Sequence, residues 1–151
     1  LRPMLEATAK ECGVEDRVLM PGFIANPYPL MRDAQFFVLS SKSEGFPNAL
    51  VESMALGLPV IATNAPSGPS QILAEATRES ISDLTFAPYG VLTPVGSVER
   101  MAEAMRAMQD PELRRSYGEK AAARARSFGA TASKDEYWSV IRSAMRAERR
   151  R

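Results

Sequence analysis

Gln35-Phe36-Phe37-Val38-Leu39-Ser40 leads into the loop Ser41-Lys42-Ser43-Glu44-Gly45-Phe46. Pro47-Asn48-Ala49-Leu50-Val51-Glu52-Ser53-Met54-Ala55-Leu56-Gly57-Leu58 follows, and then Pro59-Val60-Ile61-Ala62-Thr63. The first and last of these runs are short, apolar and rich in aromatic or branched side chains. Such runs fit strands covered on both faces. The stretch between them predicts a helix. Pro47 suits its first turn, where a missing N–H does no harm, and Gly57 suits its stop after about Leu56. Strand, loop, helix and strand in that order make a right-handed crossover between parallel strands.

The same alternation extends outward. Leu1 to Cys12 predicts a helix with Leu1, Met4, Leu5 and Thr8 on one face, stopped by Gly13. Arg17-Val18-Leu19-Met20, ended by Pro21-Gly22, reads as a strand. Asn26 to Pro29 reads as a helix entry. After Thr63 come a turn-rich loop from Asn64 to Pro69, a helix from Ser70 to about Ala76, an ambiguous segment from Arg78 to Pro88, and a strand from Tyr89 to Thr93. The rest is helical. Ser97 can cap a helix that turns Val98, Met101, Met105 and Met108 to the core. Asp110-Pro111-Glu112 starts another. Ser133 to Glu136 has capping-box spacing for a third, with Tyr137, Val140, Ile141, Ala144 and Met145 inward. The fold class is α/β: a Rossmann-like parallel sheet flanked by helices and ending in several helices. Residues 1–128 read as one domain and 129–151 as a helix with a basic tail.

Composition narrows the chemistry. The 151 residues include one cysteine, Cys12, and no histidine. A Ser-His-Asp triad, a Cys-His pair and a Cys/His zinc site are therefore excluded within the chain. No metal site and no cofactor are expected. No signal peptide and no membrane span are visible, so the expected location is the cytoplasm. Residues 1–75 hold 5 Lys/Arg against 8 Asp/Glu, and residues 76–151 hold 14 against 10. Arg146, Arg149, Arg150 and Arg151 supply much of that excess. A solvated helix end is the plain reading of this tail. Peripheral contact with an anionic membrane surface, at its inner face and through a longer parent chain, is the alternative. No basic-aromatic interleaving points to nucleic acid.

Parallel sheets bind ligands beyond the carboxyl ends of their strands. The helix expected at Pro47 begins there with unpaired amides, near Asn48, Ala49 and Leu50, and a positive dipole end. Together these make a seat for an anion such as phosphate. Gly45 leaves room for a ligand beside the backbone. Glu44 stands at the mouth of the seat as an acceptor for sugar hydroxyls. Glu52 lies about four residues, roughly 6 Å, further along the helix. There it could hold ribose hydroxyls. On spacing alone, a solvated loop acid at Glu44 and a surface helix charge at Glu52 remain open.

The run from Glu44 to Thr63 closely resembles the E-x7-E region of the group 1, or family 4, retaining glycosyltransferases of the GT-B fold. Arg17 to Phe23 is similar to the strand and turn lining their base pocket. Ser67-Gly68-Pro69-Ser70-Gln71-Ile72-Leu73 resembles their Gly-Pro-x-Glu-Ile segment, and Tyr89 to Pro94 their next strand. The resemblance covers residues 1–128 and implies the carboxy-terminal, donor-binding half of such an enzyme. It implies transfer of a sugar from a nucleotide diphosphate sugar, UDP- or GDP-linked, to an acceptor with retention. Glu44 would contact the donor sugar, and it is the candidate catalytic residue in a positioning role rather than as a nucleophile. Gly45, Phe46, Pro47, Asn48, Ala49 and Leu50 would surround sugar and diphosphate, and Glu52 would bind ribose. Gly22, Phe23 and Ile24 would line the base pocket.

Two departures stand out. Gln71 replaces the usual Glu. The resemblance implies that the family's basic diphosphate ligands are to be expected upstream of Leu1, with Arg2 and Lys42 as weak substitutes. The acceptor site is expected in an amino-terminal domain beyond these residues, so the chain alone is expected to be catalytically silent. The rivals are a non-catalytic nucleotide- or sugar-binding module and another GT-B enzyme, such as a nucleotide-sugar epimerase or a phosphorylase.

Overall fold

A computed structural model describes residues 1–129, 134, 137–139 and 141–142. The chain runs through α1 (Arg2–Glu11), α2 (Tyr28–Arg32), β1 (Phe37–Leu39), α3 (Asn48–Ala55), β2 (Val60–Thr63) and α4 (Pro69–Ala74). It continues through β3 (Thr85–Ala87), β4 (Gly90–Thr93), α5 (Val98–Ala107) and α6 (Pro111–Ala125), with short 3-10 turns at Glu15–Arg17, Arg78–Ser80 and Arg126–Phe128. The sheet order is β1-β2-β4-β3. β1, β2 and β4 are parallel, in register Val38 to Ile61 and Ala62 to Leu92. β3 pairs antiparallel with β4. The expected all-parallel sheet thus carries one antiparallel edge, formed within the ambiguous stretch 78–88. A strand joined to its neighbour by the two residues Pro88 and Tyr89 can only return as a hairpin.

Strand alternation divides the core between the two faces. Val60, Ala62 and Leu92 face Leu50 and Met54 of α3, Ile72 and Leu73 of α4, and Ala121 and Ala125 of α6. Ile61 and Val91 face Ala104 and Met108, with Tyr117 from the middle of the same long α6. The central strands β2 and β4 are therefore buried on both sides, as their unbroken apolar runs require. β1, expected to be covered on both faces, is only half-buried at the sheet edge, and Phe86 of β3 is exposed. α5 shows the core a narrower stripe than its sequence suggested. Met101, Ala104 and Met108 pack inward, whereas Val98 is 75% exposed and Met105 is also exposed. Caps read from the sequence are in place: Ser97 Oγ accepts the Arg100 N–H, and Asp110 accepts those of Glu112 and Leu113.

Arg17–Met20 is not a strand. Glu15–Arg17 forms a 3-10 turn, and residues 18–21 run on without regular structure. A strand is defined by a hydrogen-bonded neighbour, and among the described residues none lies beside this one. Leu19 is 82% exposed, and the Met20 carbonyl accepts instead from the Arg2 guanidinium. Of the last expected helix, Ser133, Val140, Ala144 and Met145 lie outside the described residues, as does the arginine tail. Tyr137 and Ile141, expected inward, are exposed, as is Trp138. No described helix is long and apolar enough to cross a membrane.

Candidate donor site at the tip of helix α3

The loop between β1 and α3 is held from two sides. Thr63, at the carboxyl end of β2, donates its hydroxyl to the carbonyls of Leu39 and Ser41. The Glu44 N–H reaches the Pro66 carbonyl at 3.4 Å. Gly68 takes φ of 118° against Pro47, where a Cβ would stand 2.5 Å from the proline Cδ. Only glycine combines that φ with that closeness. The loops after β1 and β2 are thus one packed unit.

Pro47 is the residue just before α3 rather than its first residue. Its carbonyl accepts the N–H of Leu50 at 3.0 Å and of Val51 at 3.3 Å, while the Phe46 carbonyl accepts that of Asn48 at 2.9 Å. Of the three amides expected to face an anion, Asn48 and Leu50 are therefore engaged in a tight turn. The Ala49 N–H has no partner among the described residues, nor do those of Gly45 and Phe46. The tip of α3 carries no side-chain cap and no acidic residue in its first turn. Its dipole end is uncompensated, which favours an anion there.

Glu44 and Glu52 are both half-buried. Neither has an ion-pair or side-chain hydrogen-bond partner among the described residues. A carboxylate is an acceptor-only group, and one without protein donors is free to take hydroxyls from a ligand. Glu52 shares a helical stripe with Ala49 three residues earlier, while Leu50, Ser53 and Met54 fill the buried side. One acid thus lies on each side of the open amides in sequence. Gly45 is exposed, and a Cβ there would stand in open space.

Other expected residues are placed differently. Gly22, at φ of 78°, lies beside the Arg2 guanidinium, and Phe23 is 95% exposed while Ile24 is half-buried. No hydrogen bond joins residues 22–24 to the loop at α3. Arg2 pairs with Glu6 at 3.3 Å and is no free phosphate ligand. Lys42 is exposed. Gln71 turns its Oε1 onto its own helix start, accepting the Gly68 N–H at 2.8 Å. A cleft of about 310 Å³ opens elsewhere, between α1 and residues 15–20. Glu6 and Glu15 line it, and they repel an anion more than the engaged Arg2 attracts one.

Sequence reasoning missed the polar node behind the loops. The buried Asn64 donates to the carbonyls of Arg78, at 2.9 Å, and Ile81, at 2.7 Å, and Arg78 Nε returns a bond to the Asn64 carbonyl. Its only trace was a polar residue at the end of each buried strand: Thr63, Asn64 and Thr93.

Residues 2–124 match the family Glycosyl transferases group 1. The chain is 36% identical over 129 residues to the N-acetylgalactosamine-N,N'-diacetylbacillosaminyl-diphospho-undecaprenol 4-alpha-N-acetylgalactosaminyltransferase of Campylobacter jejuni. That match takes in 85% of this chain and 32% of the relative, so the chain spans about a third of that protein. Among solved structures, the sucrose-phosphate synthase of Thermosynechococcus elongatus superposes with a TM-score of 0.74 at 26% identity, over 97% of this chain and 35% of that one. The C-terminal domain of a glycosyl transferase group 1 family protein from Francisella tularensis gives 0.66 at 25% identity, over 83% and 60%. The chain belongs to the group 1 glycosyl transferases and has the Rossmann-like fold of their carboxy-terminal GT-B half.

Proposed function

We propose that the tip of α3 holds the diphosphate of a nucleotide sugar, with Glu44 on the sugar and Glu52 on the ribose. The observation that carries this reading is the pairing of N–H groups at Gly45, Phe46 and Ala49 with the side chains of two half-buried glutamates, all of them without partners among the described residues. Amides suit the diphosphate and carboxylates suit hydroxyls, so one donor molecule satisfies both sets.

In the enzyme carrying this chain, the proposed reaction transfers the sugar to an acceptor with retention. Charge develops on the departing diphosphate as the anomeric bond breaks. Amides already aimed at it stabilise that charge without reorganising. Glu44 positions the sugar. The relative from Campylobacter is about three times as long as the matched stretch. The acceptor site is proposed to lie outside these 151 residues, so the chain alone binds donor and transfers nothing.

Calorimetric titration of the chain with UDP, GDP and their sugars tests this reading. One of the two nucleotides is expected to saturate a single site. Glu52→Ala is expected to weaken it about tenfold, the loss of hydrogen bonds to a charged group. A folded chain that binds neither nucleotide contradicts the reading.

A further inference from the structure

Phe46 leaves the site loop with 52% of its surface exposed and one side against Phe128, ring centroids 6.0 Å apart and planes tilted by 55°. That is a favourable aromatic geometry. Phe128 sits in the 3-10 turn after α6, far away in sequence, and also packs on the core.

Arg124, one turn earlier, fixes Phe128 in turn. Its guanidinium lies 4.9 Å from the Phe128 ring centre and 5.2 Å from that of Tyr89. In the plane of the group it donates to the carbonyls of Ile72 and Gln71, both at 3.1 Å, and to Glu75 at 2.8 Å. Those carbonyls belong to the last turn of α4, where no intrahelical donor remains. The side chain is only 17% exposed. A planar cation held at its edge by three acceptors has little freedom to tilt, so it presents a fixed face to Phe128.

We propose that Arg124 and Phe128 are positioning residues that brace Phe46, and through it the Glu44–Pro47 turn, in its ligand-ready shape. The inference rests on the reading of that turn as part of the donor site. Pro47 is blocked on one side by Gly68. Phe46 supplies the second point of support, through its ring, while its carbonyl closes the turn onto Asn48. Two supports on successive residues fix the direction of the amides on either side of them.

Amide hydrogen exchange on the nucleotide-free chain tests the brace directly. Phe128→Ala is expected to speed exchange at Glu44, Asn48 and Leu50 roughly fivefold more than at Ile61 and Val91, the scale of one lost aromatic pair. Phe128→Tyr keeps the ring and is expected to behave as wild type. Phe128→Ala added to Phe46→Ala is expected to have no further local effect. Uniform acceleration at all five amides, or none, overturns the proposal. In parallel, Phe128→Ala is expected to weaken UDP or GDP binding about fivefold through the same contact. Unchanged affinity despite faster local exchange overturns the link to the ligand. A wild-type chain that binds neither nucleotide, yet shows the local exchange response, overturns the donor reading while supporting the brace.

Discussion

Glu44→Ala is expected to lower kcat/KM for sugar transfer at least about a hundredfold in the enzyme that carries this chain. On the proposed reading, Glu44 accepts several hydrogen bonds from the donor sugar that strengthen as the anomeric bond breaks, and their loss would amount to roughly 3 kcal/mol. The substitution is expected to leave the fold alone. Glu44 holds the loop in place by its backbone N–H on Pro66, and its side chain supports nothing else among the described residues. The melting temperature therefore stays near that of wild type. Glu44→Gln keeps the shape and one acceptor, so its loss is expected to fall in between. Steady-state kinetics with the donor varied, beside a thermal melt of each variant, provide the check. Unchanged turnover in Glu44→Ala would remove this residue from the reaction and favour a module that holds a nucleotide without chemistry.

The second large effect concerns stability and lies at the other end of α3. Gly118, in the middle of α6, touches the turn that ends α3. A Cβ there would stand 2.5 Å from the Gly57 carbonyl oxygen and 3.9 Å from Pro59 Cδ. The oxygen belongs to backbone pinned on both sides, by Gly57 N–H to Met54 and Leu58 N–H to Ser53. No rotamer change relieves the contact, so the helices must separate. Alanine for glycine inside a helix gains about 1 kcal/mol in propensity. Overpacking against fixed backbone loses about 3 kcal/mol. The net loss of about 2 kcal/mol corresponds to a melting temperature lower by roughly 6 °C for a domain of this size. Gly118→Leu is expected not to fold cooperatively. Thermal melts followed by circular dichroism measure both variants, and a Gly118→Ala melt at or above wild type would show that α3 and α6 are free to move apart.

These two residues mark what was legible in the sequence. Glu44 lies in a stretch whose strand, loop and helix signals are local: branched runs, a proline, a glycine. Caps at Ser97 and Asp110 are local too; the strand, loop, helix and both caps are found in the structure, with Pro47 one residue ahead of the helix rather than in its first turn. Gly118 gives no such sign, because its role depends on a turn about sixty residues earlier. Arg124 is hidden for the same reason, reaching carbonyls 52 and 53 residues away. Arg17–Met20 misled because an apolar run says that a segment suits a strand, not that a partner lies beside it. At the tip of α3, the sequence located the helix start but not the fold-back of the Phe46 and Pro47 carbonyls, which engages two of the expected amides and leaves Ala49 open.

The account turns on those open N–H groups. Titrating UDP or GDP into isotope-labelled chain and following each amide by NMR addresses them individually. The largest shifts are expected at Gly45, Phe46 and Ala49, with Asn48 and Leu50 moving less because their N–H groups are already bonded. Shifts confined to the cleft between α1 and residues 15–20, or none at saturating nucleotide, would contradict it.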